Sequence, residues 1–129
     1  MYRISAVWGA HEGSMLLWML MLTGWGAAVS VFSRSLPRDV QAQVLAVLGA
    51  LCIGFLLFML LTSNPFERHF PVPEDGRDLN PLLQDPGLVV HPPLLYMGYV
   101  GFSVAFAFAI AALIGGRMDA AWALSLIHI

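Results

Sequence analysis

Lysine is absent from this chain, cysteine occurs once, and charge of either sign is scarce. Six arginines, three glutamates and five aspartates make up 11% of the 129 residues, against about 25% in a soluble domain. So little charge cannot cover a water-facing surface. That argues against a soluble globular protein and equally against a disordered chain. The formal net charge is −2, so no basic stripe is available for phosphates and no nucleic-acid binding is expected. The one thiol, Cys52, cannot close an internal disulfide or form a CxxC zinc or redox pair. It lies in a long apolar run and reads as a small buried hydrophobe. There is no internal repeat and no low-complexity tract. The first residues, MYRISAVWGAHEGS, lack the basic start and the A-x-A-like cleavage site of a secretory signal.

What the chain has in excess is apolar surface: 59% of its residues, with a mean hydropathy of +0.78. A spanning helix needs about 20 mostly apolar residues at 1.5 Å rise each. Three windows qualify: Gly13 to Phe32, Val40 to Thr62 and Leu94 to Ile114, none of which carries a charge. The expected fold is therefore all-α. It is an integral membrane protein with transmembrane helices at 13–32, 40–62 and 92–116. The seven residues Ser33 to Asp39 (SRSLPRD) form a tight hairpin between the first two. A long structured loop at 63–91 joins the second to the third. Counted by the positive-inside rule, the arginines tie: Arg34, Arg38 and Arg117 on one side, Arg3, Arg68 and Arg77 on the other. Their density places the hairpin and the tail (117–129) in the cytoplasm. The first segment (1–12) and the long loop then face outward.

The third span has two stripes. Gly98, Gly101, Ala105, Ala109 and Ala112 recur at steps of three and four, and Tyr99, Phe102, Phe106, Ile110 and Leu113 run beside them. A small-residue stripe lets helix backbones approach closely in lipid, so it is read as a packing seam against helices of a larger assembly. Trp18 and Trp25, seven apart on one face, read as core or lipid-facing surface, and Met15 and Met19 as packing.

The loop carries Pro65, Pro71, Pro73, Pro81 and Pro86, and five acids against Arg68 and Arg77. A connection this long is usually functional or disordered. Leu79, Leu82, Leu83 and Leu88 give it residues that need an apolar seat. Asn80 before Pro81 is an N-cap and first helical position, which predicts a short amphipathic helix from Pro81 to about Asp85, stopped by Pro86-Gly87.

The loop ends at His91-Pro92-Pro93. Proline is tolerated in the first turn of a helix and biases the residue before it away from helical angles. His91 is therefore expected as a helix-start residue at the outer membrane–water boundary. There it has three roles open to it: capping, idling, or ligating a metal as the neutral base. A rigid corner, a leucine-rich loop and two arginines suit a planar amphipathic ligand with carboxylates, and haem has that shape. From these residues alone, haem ligand and structural corner stand level. His11, at the outer start of the first span beside Glu12, reads as a polar interfacial cap with Trp8 as aromatic anchor. His69 reads as solvated, and His128 carries no signal.

Two stretches closely resemble a known family. WGAHEGSMLLW (Trp8 to Trp18) and GRDLNPLLQDPGLVVHPPLLYMGYVGFSVAFAFAIAAL (Gly76 to Leu113) are similar to the CcmF/NrfE-type haem lyase subunits of bacterial cytochrome c maturation, and the linking SNPF (Ser63 to Phe66) fits as well. The likeness runs from about Tyr2 to Trp122. It implies a multi-pass protein of the bacterial inner membrane whose long loop is periplasmic. It implies that haem is received from the haem chaperone CcmE and joined, with CcmH, to the CxxCH thiols of apocytochrome c. The histidine opening HPPLLY is a periplasmic axial ligand in that family, so the resemblance assigns His91 to haem iron. No ligand role passes to His11. No Ser/His/Asp set or Cys/His pair is present on a shared face, so no catalytic residue is assigned. The protein's share is orientation and iron electronics.

The chain also departs from the family pattern. The family's proteins are several times longer. Their tryptophan-rich WGxxWxWD segment, second outer axial histidine and buried haem b histidines have no counterpart here. ALSLIHI (Ala123 to Ile129) does not resemble the family, and a truncated or frame-shifted reading frame is expected, inactive as an enzyme by itself. The alternatives are a haem-free membrane scaffold or transport subunit, or an inert product.

Overall fold

The computed structural model describes residues 2–76, 78–116 and 118–127, with the backbone alone at 121, 122, 125 and 126. Arg77, Arg117 and His128, named above for their charge or imidazole, lie outside the described residues. The elements are α1 (Tyr2–Gly9), α2 (His11–Phe32), α3 (Arg38–Thr62), a 3-10 turn (Pro81–Gln84), α4 (Pro86–Gly115) and α5 (Ala120–Ile127). The described residues are thus helical or irregular. Helices α2, α3 and α4 are long and apolar enough to cross a membrane. Together with the relatives reported below, they make this a multi-pass membrane chain.

Each of the three long helices packs against the other two. Their shared core holds Leu22 from α2, Val44 and Leu48 from α3, and Val100, Val104, Ala107 and Phe108 from α4. Most of the apolar surface nevertheless points away from that core: only 17% of α2 and α3, and 39% of α4, is buried within their most apolar stretches. Leu57, Phe58 and Leu61 are all exposed on α3. In water such a surface would drive association; in a bilayer it can face lipid or further membrane helices.

Polar contacts fix how the helices meet. At the hairpin, the Gln41 amide donates to the Ser30 carbonyl and to Ser33 Oγ, both at 3.1 Å. Halfway along, Trp25 Nε1 donates to the Met97 carbonyl at 3.0 Å, tying α2 to α4. The indole lies against Gly101, where an added Cβ would sit 3.4 Å from the ring. Part of the small-residue seam is therefore used inside this bundle: Gly101 and Ala112 are buried, whereas Gly98 is exposed. Trp18 also turns inward, with ring centroids 5.4 Å from Tyr96 and 6.1 Å from Phe55. Trp25→Phe removes one interhelical hydrogen bond and is expected to cost about 1 kcal/mol. A lower midpoint in detergent-induced unfolding would show it; an unchanged midpoint would mean the Met97 carbonyl does not need the indole.

Three boundaries differ from the sequence expectation. The first segment, read only as an outward-facing stretch, contains α1, which returns against α2 and the 3-10 turn. The turn across Ala10 is tight enough that a methyl on Gly13 would overlap the Val7 carbonyl. The second difference is at α4. The short helical turn from Pro81 does end before Pro86-Gly87, but that pair also starts a helix: Asp85 Oδ1 accepts from Gly87 N at 2.7 Å and Leu88 N at 3.3 Å, and Pro86 occupies the first position, where no N–H is missed. Asn80 caps the 3-10 turn in the same way, accepting from Leu82 N at 3.1 Å. The third follows from the second. Helix α4 takes the last six residues of the expected loop, so α3 and α4 lie side by side with residues 63–85 between them. The only regular element described there is the four-residue 3-10 turn. The long structured loop expected at 63–91 is correspondingly shorter and less regular.

At the other end α4 stops at Gly116, whose φ of 62° is the left-handed geometry that glycine adopts freely.

Candidate functional site

His11, Ser63 and the first turns of α4 share one end of the bundle. The His11 Nδ1 and Ser63 Oγ are 3.0 Å apart, joining the start of α2 to the end of α3. Ser63 is buried although it is polar, and this contact satisfies it. One turn further in, Ser14 Oγ and Tyr96 OH are hydrogen-bonded, joining α2 to α4. The Tyr2 hydroxyl donates to the Gln84 carbonyl at 3.4 Å, holding α1 beside the 3-10 turn.

His91 is not the helix-start residue that the sequence suggested. It is the sixth residue of α4, and Pro92 and Pro93 lie inside the helix. Two consecutive prolines leave the Leu88 and Val89 carbonyls without their N–H partners four residues on. Such a break is tolerated where water or headgroups can reach the freed carbonyls. The length of α4 puts it there. From Gly115 back to His91 is 24 residues, about 36 Å of helix, against about 30 Å of hydrocarbon. With Gly115 at one boundary, His91 stands at or just beyond the other.

The helical phase decides which way His91 faces. Val89, Val100, Val104, Ala107 and Ala111 are buried and define the inner face. Two residues on from Val89, His91 is turned about 200° from it. It is exposed, and it makes no hydrogen bond among the described residues. Steps of three and four from His91 reach Leu95, Gly98 and Phe102 on the same outer face. Leu95 and Phe102 are exposed, Phe102 at 71%. A Cβ on Gly98 would meet nothing within 4 Å. The result is an outward lane with an imidazole at the water end, a notch, and an aromatic ring below.

Among the described residues no group of three or more His, Cys, Asp or Glu is placed to hold a metal ion. A lone imidazole cannot complete the shell of a bare ion. It can complete that of an iron already held by four porphyrin nitrogens, with the apolar lane beneath as the wall. By donor set, then, the residues fit one axial position and one face of a haem. No second axial ligand is assigned among them: the His11 contact to Ser63 uses Nδ1 alone, and His69 lies in a cleft beside the α1–α2 corner with Glu12 and Glu67. Arg68 is exposed. Among the described residues none of these side chains hydrogen-bonds to His91. Sequence reasoning missed Ser63 as the partner of His11, since 52 positions separate them.

A family model described as "Cytochrome C assembly protein" matches residues 8–124. Over 123 residues the chain is 73% identical to the cytochrome c-type biogenesis protein CcmF of Pseudomonas fluorescens, covering 95% of this chain and 19% of that protein. Identity to CcmF of Escherichia coli (strain K12) is 65%, with the same coverage. Identity to the cytochrome c-type biogenesis protein NrfE of Haemophilus influenzae is 56% over 113 residues, 88% of this chain and 18% of that protein. The chain thus spans about a fifth of the length of these relatives. No solved structure matches it.

Proposed function

Because the chain belongs to the cytochrome c assembly protein family, we propose that it is part of a haem lyase subunit of the bacterial inner membrane, presenting haem at the periplasmic face for attachment to apocytochrome c. In this reading residues 1–12 and the connection before α4 are periplasmic, and the hairpin and tail are cytoplasmic. Haem supplies the vinyl groups that take up the CxxCH thiols as thioethers. The chain supplies placement. His91 would hold the iron from one side through an imidazole nitrogen. Leu95, Gly98 and Phe102 would offer it a dry wall, near the water end of α4 where a thiol can approach. Holding two reactants in register is a large part of what a protein can contribute to such an addition. The partners in this reading are the haem chaperone CcmE, CcmH and apocytochrome c, with the remaining haem contacts coming from the rest of the longer protein.

The observation that supports this most is the outward imidazole of His91, one helix-length from the opposite boundary and above an open apolar lane. A haem-free scaffold or transport role would leave that placement without a use.

The test is a chimera. Residues 8–122 of this chain replace the matching segment of the full-length Pseudomonas aeruginosa CcmF, to which the chain is 72% identical. Haem-stained c-type cytochromes are then measured in a strain lacking its own CcmF. Restoration is expected. A chimera that is inserted and abundant but yields no c-type cytochrome would contradict the proposal.

A further inference from the structure

The connection after α3 carries large apolar side chains that the bundle does not cover. Phe66 is 70% exposed, Phe70 84% and Val72 74%. Asn64, Glu67 and His69 of the same segment line a cleft whose far wall is Gly13 and Leu16 of α2. The segment therefore does not rise away from the bundle but turns back along the first turns of α2.

Its depth can be placed. The His11–Ser63 contact sets the end of α3 level with the start of α2. Leu16 is five residues further along α2, about 7.5 Å below His11. Helix α2 has 22 residues, about 33 Å, scarcely more than the hydrocarbon thickness. A segment lying against Leu16 is then at the headgroup–acyl boundary or just inside it. Phe66 and Phe70 are exposed, so neither is seated against the bundle. At that level the direction away from the protein is lipid. Phe58 and Leu61 at the end of α3 are exposed as well. Between the two phenylalanines sit Glu67, Arg68 and His69. Long polar side chains at that depth reach up to water while their stems stay in the boundary. Glu67 and Arg68 balance in charge, so the fit is to the phospholipid boundary itself and not to an anionic headgroup.

We infer that Phe66, Phe70 and Val72 form a membrane-interface foot, seating the connection between α3 and α4 in the outer edge of the bilayer instead of leaving it in water. The foot holds this segment beside the bundle end that carries His11 and Ser63. The inference rests on the multi-pass location alone and does not depend on haem or on His91.

The test uses the 129-residue chain in phosphatidylcholine nanodiscs, with Cys52→Ala as background and a nitroxide attached at Phe66→Cys, Phe70→Cys or, as the aqueous reference, Glu74→Cys. Labels at 66 and 70 are expected to favour collision with oxygen over a water-soluble nickel relaxant several-fold more than the label at 74 does. A label at Glu67→Cys serves as a second reading that leaves both phenylalanines in place. Its nickel accessibility is expected to rise several-fold when Phe66→Ser and Phe70→Ser are added. Labels at 66 and 70 as open to nickel as the one at 74 would put the segment in water and overturn the inference. Labels shielded from both relaxants would mean that protein covers the strip, which would overturn it as well.

Discussion

Replacing His91 with alanine in a full-length protein carrying this segment is expected to cut covalent haem attachment to apocytochrome c at least about tenfold. Even groups that only support a metal ligand are worth roughly 10–100-fold in metal affinity or activity. An axial ligand should count for no less. The side chain is exposed and makes no hydrogen bond among the described residues, so its removal is expected to move stability by no more than about 0.5 kcal/mol. Haem staining of c-type cytochromes, read against the amount of inserted protein, separates the two effects. His69→Ala, in the cleft beside the α1–α2 corner, is the matched control and is expected to leave attachment unchanged. Equal staining in the His91 and wild-type strains would place the haem elsewhere.

Gly13→Ala is expected to have the largest effect on folding. A methyl at Gly13 would overlap the Val7 backbone carbonyl, and a backbone carbonyl cannot swing aside as a flexible side chain can. Overpacking commonly costs 1–3 kcal/mol, and a value of about 3 kcal/mol is expected here. The cost falls on the α1–α2 corner and so on the position of the 3-10 turn that α1 holds. A lower midpoint in detergent-induced unfolding, with early proteolysis between α1 and α2, is the expected result. Gly49→Ala is the control, because its Cβ would meet nothing within 4 Å. It is expected to be neutral or slightly stabilising, alanine being the better helix former.

The three spans were legible because each run is long, apolar and free of charge, a signal that needs no tertiary context. The hairpin was legible too, since its polar residues cluster between two such runs. The start of α4 was not. Asp85-Pro86 and Asn80-Pro81 are the same N-cap and first-position pattern, and Pro92-Pro93 offered a third helix start. Local rules rank the three about equally. The Asp85 cap decides among them, its carboxylate accepting from Gly87 N and Leu88 N, and the helix it starts runs through the buried Val89. Helix α1 was missed for a related reason. Eight residues give little periodic signal, and Gly9 packs against Leu79 and Leu83, about 70 positions away. The His11–Ser63 contact is likewise invisible to any local pattern. For the candidate site, the sequence pointed to the residue, and the structure supplied the direction in which its imidazole faces.

The proposed function rests on one claim: that the His91 imidazole would hold iron at the outer end of the bundle. It is tested most directly by the absorption and resonance Raman spectra of the full-length protein carrying His91→Gly, with and without added imidazole. The account predicts loss of the outer low-spin haem signal in the variant and its return when imidazole is supplied. A spectrum unchanged by the substitution would contradict it.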